Sequence, residues 1–185
     1  TALEEYLKVK RSTGIAAINL KDGDAIANVT FAQEEEFVIV TKQGMAIRFA
    51  TKEISPIGRV TAGVKSIKLA EGDEVIAGLP IHKTTDNLAI ISSNGYGKKI
   101  SLDEIPVQGR AGKGLSIYKS SGASGSVTGA AMIDDNDNLL LIGRPNTICV
   151  SAADVPLLGR ISTGNIMIKN SSINKIVKLW LKRAN

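Results

Sequence analysis

Hydrophobic positions in this chain fall in short bursts rather than long stripes. Three apolar runs, Phe37-Val38-Ile39-Val40, Leu88-Ala89-Ile90-Ile91 and Leu139-Leu140-Leu141-Ile142, recur about every fifty residues. Short runs bounded by turn residues suit strands buried on both faces. A turn follows each run: Lys42-Gln43-Gly44, Ser93-Asn94-Gly95 and Arg144-Pro145-Asn146. Asn94-Gly95 predicts a tight hairpin with positive φ at both central positions. The next strand alternates, placing Met45, Ile47 and Phe49 on one face and Ala46 and Arg48 on the other. An acidic residue with a β-branched neighbour follows: Glu53-Ile54, Glu104-Ile105 and Asp154-Val155. Third strands are predicted within Val64 to Leu69, Leu115 to Lys119 and Ile166 to Lys169. A Gly-Asp turn (Gly23-Asp24, Gly72-Asp73) leads into a fourth strand at Glu74 to Ala77. The one helical candidate, Asn174 to Arg183, alternates apolar and basic residues and reads equally well as a closing strand.

The repeat is punctuated by a Gly-Arg pair. Gly58-Arg59, Gly109-Arg110 and Gly159-Arg160 lie 51 and 50 residues apart, and a second glycine follows each, at Gly63, Gly114 and Gly164. Gly14 lies 49 residues before Gly63, with Lys10 in the slot of Arg59, so the chain opens midway through a repeat. With no Met at Thr1, the expectation is a piece of a longer protein. Self-similarity at this period marks an array of small sheets, and four short strands per unit is the blade pattern of a propeller. The predicted architecture is all-β, a propeller-like disc of about four four-stranded blades with the first incomplete. The single repeat domain 1–185 divides into a partial blade at 1–30 and blades at 31–80, 81–133 and 134–185. Low complexity is confined to Ser120 to Ser126, read as a flexible loop.

Composition narrows the function. The net charge of +5 is moderately basic, which is compatible with nucleic acid, and basic residues recurring at one slot suit a long polyanion. Aromatics at 4% are too sparse for a base-stacking surface. The single cysteine, Cys149 between Ile148 and Val150, excludes an internal disulfide or zinc cluster and reads as a small packed residue. No apolar run approaches the roughly 20 residues of a membrane span, and no leader pattern stands at Thr1. His82 is the only histidine and reads as a surface loop residue. Asp134, Asp135 and Asp137 lack calcium-loop spacing and read as a polar inter-blade turn.

Four segments carry a family resemblance: Thr41 to Phe49, Ile57 to Val64, Glu71 to Val75, and Asn94 to Lys99. In these the chain resembles the C-terminal domain of the A subunit of bacterial DNA gyrase, a type IIA topoisomerase. The resemblance implies a β-pinwheel, a disc whose blades exchange strands with their neighbours and whose outer rim binds and bends double-stranded DNA. It also implies, in the full protein, an A-subunit homodimer joined by the gyrase B subunit, in the bacterial cytoplasm with the nucleoid. No cofactor is expected in this domain, ATP and magnesium belonging to other parts of the holoenzyme. The family carries a signature heptapeptide of glutamine, two basic residues, two glycines, a basic residue and a glycine. Gln108-Gly109-Arg110-Ala111-Gly112-Lys113-Gly114 departs from it at Gly109 and Ala111, the pattern of a second, degenerate copy whose full version is expected upstream of Thr1. The corresponding domain of topoisomerase IV shares the architecture and stays open as an alternative.

The candidate DNA-binding residues are Gln108, Arg110 and Lys113 in that loop and Arg59 and Arg160 in the equivalent loops. Lys98 and Lys99 after the Asn94-Gly95 hairpin join them, with Arg48 in the slot of Lys99. Lys68, Lys119 and Lys169 share one slot at the end of the third strand. A glycine-rich loop brings backbone N–H groups close to phosphate while arginine forks the oxygens. A structural reading stands beside this one, in which the arginines pair with Glu53, Glu104 or Asp154 just before them. No residue reads as catalytic: Tyr6, Tyr96 and Tyr118 lie outside any topoisomerase cleavage motif. A protein-interaction propeller, a propeller enzyme and a structural spacer are the other readings; convergent acids for an enzyme are lacking at equivalent slots.

Overall fold

The computed structural model describes residues 1–7, 14–169 and 171–179. After one helical turn, α1 (Glu4–Leu7), eleven strands follow. They are β1 (Glu36–Thr41), β2 (Met45–Ala50), β3 (Val75–Ile81), β4 (Asn87–Ser92), β5 (Tyr96–Ser101) and β6 (Leu115–Ser116). The rest are β7 (Val127–Ile133), β8 (Asn138–Arg144), β9 (Thr147–Ser151), β10 (Asn165–Ile166) and β11 (Ser172–Leu179). They form three antiparallel sheets in the orders β3-β1-β2-β6, β10-β5-β4-β7 and β11-β8-β9.

The three apolar runs lie in β1, β4 and β8, each the strand paired on both sides by its own repeat. Their continuity has a packing cause. Val38 and Val40 point toward Leu88 and Ile90 of the second sheet, whereas Phe37 and Ile39 pack with Ile47, Phe49 and Ile67. In turn Ala89 and Ile91 meet Leu139 and Leu141 of the third sheet. Both faces of a middle blade are therefore covered, and each buried aliphatic side chain contributes roughly 1.5–3 kcal/mol.

Blades exchange strands. β6, from the second repeat, pairs with β2 of the first (Met45↔Ser116, Ala46↔Leu115). β10, from the third repeat, pairs with β5 of the second (Asn165↔Gly97, Ile166↔Tyr96). The predicted third strands shrink to these two-residue pairings, and Val64 to Leu69 forms no strand. A strand needs an acceptor edge, and no hairpin of a preceding repeat stands beside that segment among the described residues. The segment 174–179 of the ambiguous terminal stretch is strand, closing the third sheet against β8; Trp180 to Arg183 lie outside the described residues.

Other expectations are corrected. Only Gly95 has positive φ (82°), not Asn94, and the Gly95 N–H donates to the Ser92 carbonyl. This three-residue loop is a turn closed by a left-handed glycine, and the matching Gly44 loop is built the same way. The Ser120 to Ser126 segment folds back on itself: Ser121 and Ser124 exchange hydroxyl and amide bonds, and the Asn94 side chain donates to the Ala123 carbonyl at 2.9 Å. Cys149 is exposed rather than packed, because β9 is the outer strand of a sheet that receives no exchanged strand among the described residues. His82 does lie at a loop, half exposed, with Nδ1 2.7 Å from a Glu34 carboxylate oxygen.

Candidate nucleic-acid interface

The Gly-Arg loops are built by the repeat that precedes them. For the loop 108–114, the Gln108 N–H donates to the Arg48 carbonyl at 2.7 Å, and Ala111 to the Ser66 carbonyl at 2.8 Å. The Arg110 N–H donates to a Glu53 carboxylate oxygen at 2.8 Å, and its guanidinium donates to the Lys65 carbonyl. In return the Lys68 N–H donates to the Gly112 carbonyl at 2.8 Å. The next loop repeats the plan: the Arg160 N–H donates to Glu104 at 2.8 Å, its guanidinium to the Ser116 carbonyl at 2.7 Å, and Thr163 to the Lys119 carbonyl at 3.0 Å. Arg59 has the same habit, donating to the Ala16 carbonyl at 3.3 Å.

The acid–arginine pairing expected within one repeat is thus corrected twice over. The carboxylates of Glu53 and Glu104 meet the arginine of the following repeat, and they meet its backbone N–H. The physical reason is strand exchange, which displaces each loop onto its neighbour's hairpin.

Besides the three loop arginines, three more of the eleven candidates are engaged inside the fold. Arg48 pairs with Glu36 at 2.6 Å and donates to the Leu102 and Ile105 carbonyls, at 3.0 and 3.2 Å, so it staples the first sheet to the second. Lys99, in the same slot one repeat on, bonds Asp135 at 2.5 Å and the Ala152 carbonyl at 3.0 Å. Lys98 is fully buried; its ammonium donates to the Gly159 and Arg160 carbonyls and the Ser162 hydroxyl, at 2.9, 2.7 and 3.2 Å. Burial pulls its pKa down to about 8, Glu104 opposing the fall and the Arg160 guanidinium adding to it. The polar inter-blade turn also does internal work, Asp135 through Lys99 and Asp137 through Lys178 at 2.7 Å.

Of the eleven candidates, Lys68, Lys113, Lys119 and Lys169 are exposed. Strand exchange brings two separate sequence slots together: Lys68 beside the loop that carries Lys113, and Lys119 beside the loop that carries Arg160. Gln108 and the three Gly-Arg arginines are partly exposed. Lys65, also exposed, sits at the same seam and was not predicted, since its slot holds Ser116 and Ile166 in the later repeats. Glu53 and Glu104 were visible only as an acid six residues before each arginine, a spacing that hides the shift of one repeat. A seam of exposed lysines can take up phosphates along a polyanion. Among the described residues no cluster of His, Cys, Asp or Glu could hold a metal ion, and no helix is long and apolar enough to cross a membrane.

Comparison with known proteins gives a consistent set. The family described as DNA gyrase C-terminal domain, beta-propeller, matches residues 1–32, 35–82, 86–140 and 149–175. The DNA gyrase A subunit of Salmonella typhimurium is 33% identical over 181 residues, covering 97% of this chain and 20% of that protein. That of Mycolicibacterium smegmatis is 37% identical over 146 residues, covering 77% of this chain and 17% of that protein. The chain therefore spans about a fifth of the length of these relatives. Among solved structures, the C-terminal domain of DNA topoisomerase IV superposes with a TM-score of 0.90 at 27% identity, over 96% of this chain and 57% of that one. A DNA gyrase A C-terminal domain superposes at 0.83 with 29% identity, over 91% of this chain and 59% of that one.

Proposed function

Because the chain belongs to the DNA gyrase C-terminal domain family, we propose that it binds duplex DNA along its blade seams and bends it. In the full protein this wrapping presents the transferred segment for ATP-dependent strand passage, so that passage introduces negative supercoils. The observation that carries the reading is the pairing of Lys68 with the Lys113 loop and of Lys119 with the Arg160 loop at successive seams. Phosphate contacts by these lysines and by Lys169 dominate, with Gln108, Arg59, Arg110 and Arg160 shaping or edging the loops. Arg48, Lys98 and Lys99 serve the fold instead. Such binding reads little base sequence and selects for DNA that bends easily.

The working protein on this reading is an assembly of two A and two B subunits in the bacterial cytoplasm, with ATP and magnesium bound outside this domain. A second reading, the corresponding domain of topoisomerase IV, draws on the TM-score of 0.90. ATP-dependent supercoiling of a relaxed plasmid by the full protein supports gyrase; relaxation alone supports topoisomerase IV.

The test is a salt titration of binding to a duplex of about 100 base pairs, a length chosen to let bending be read by end-to-end energy transfer. Each phosphate-contacting lysine removed lowers the slope of log affinity against log salt by about 0.9. Substituting Lys68, Lys113 and Lys119 by alanine is expected to flatten the slope and reduce bending. Absence of binding at low salt refutes the reading.

A further inference from the structure

We propose that Glu53 and Glu104 are positioning residues of the DNA interface, each acting through the basic loop of the following repeat although it is itself an acid. This rests on the DNA-binding reading above.

An acid beside a polyanion is an electrostatic liability, so its presence at the same place in two seams calls for a compensating role. Glu53 Oε2 accepts the Arg110 N–H at 2.8 Å and Glu104 Oε2 accepts the Arg160 N–H at 2.8 Å. Each acid is the last residue of a three-residue 3-10 turn directly after β2 or β5 (Thr51–Glu53, Leu102–Glu104), which fixes where its carboxylate stands. Each acid is also close in sequence to the staple to the next sheet, Arg48 or Lys99. The bond falls one residue before Ala111, whose φ of 66° turns the loop sharply. A carboxylate bond to a backbone N–H is among the stronger hydrogen bonds of a surface loop, and here it anchors the loop's entry. The Gly112 to Gly114 stretch that carries Lys113 is thereby held in one orientation. Because the anchor belongs to one repeat and the loop to the next, separating two blades dismantles the contact site at their seam.

The sign of a mutation decides the matter. If Glu53 acts only through its charge, Glu53→Ala and Glu53→Gln both strengthen DNA binding by removing repulsion. If it positions the loop, Glu53→Ala weakens binding about tenfold, the scale of one charge-assisted bond, whereas Glu53→Gln, which keeps a carbonyl acceptor, binds at least as well as wild type. Hydrogen exchange of the Arg110 amide supplies a readout without DNA: faster in Glu53→Ala, slow in Glu53→Gln. Should wild type fail to bind DNA, the function above falls and amide exchange alone still decides the positioning role. Glu104→Ala, read at the Arg160 amide, repeats the test should Glu53→Ala not fold. Tighter binding in both Glu53 variants, equal loss in both, or unchanged amide exchange overturns the proposal.

Discussion

Alanine at Gly95 tests the exchange of strands between blades. The backbone there has φ 82°, a left-handed conformation that costs an L-residue roughly 1–2 kcal/mol. A Cβ at this position would stand 2.2 Å from the Ile168 carbonyl oxygen and 2.9 Å from its Cγ2. The same glycine's carbonyl accepts the Met167 N–H at 2.8 Å, the bond that seats the exchanged segment. Relieving the clash moves that segment away, forfeiting a bond worth about 1 kcal/mol and adding repacking of about 1–3 kcal/mol. The sum is about 3–6 kcal/mol for Gly95→Ala. Gly63 provides the control: its φ is 75°, yet a Cβ there would meet nothing within 4 Å. Gly63→Ala should therefore cost only the backbone component, about 1–2 kcal/mol. Urea unfolding of both variants at matched m-values measures the difference. Equal destabilisation would refute the reasoning, since it would mean that the exchanged segment does not press on the Gly95 turn.

Two further outcomes follow from named groups. The folded-state pKa of Lys98 lies near 8 against an ordinary 10.5, so between those values the unfolded chain holds the proton that the folded chain has released. Raising pH through that window stabilises the fold, by up to about 3 kcal/mol, and below pH 8 the cost is constant; stability measured against pH should show this rise in wild type and lack it in Lys98→Met. Ala111 occupies a left-handed conformation (φ 66°) where the family heptapeptide has glycine. Ala111→Gly should raise the melting temperature through a gain of roughly 0.5–1 kcal/mol, strain relief less the glycine's own entropy cost, and an unchanged or lower value contradicts the strain.

Local signals in the sequence determined the repeat, its period and the strands that pair within it. Phe37 to Val40 had to be a strand sheltered on both faces, and Met45, Ile47 and Phe49 had to share one face, because side-chain alternation is a property of the strand itself. Glycines at the hairpins were equally legible, although the type of turn was not: Asn94 stayed out of the left-handed region because a third loop residue, Gly95, carries the reversal alone.

What only the tertiary structure decided was which repeat each side chain serves. Arg48, Lys98 and Lys99 looked like surface cations and proved to be staples to carbonyls more than fifty residues away. Glu53 looked like the partner of Arg59 and holds Arg110 instead. Cys149, in the slot of Arg48 and Lys99, looked packed and is exposed, since among the described residues no exchanged strand covers β9. Sequence periodicity says that two residues hold equivalent places, but equivalent residues face a neighbour, and strand exchange makes that neighbour the following repeat. The offset of one blade is set by packing between sheets, where no signal within a single fifty-residue unit can record it.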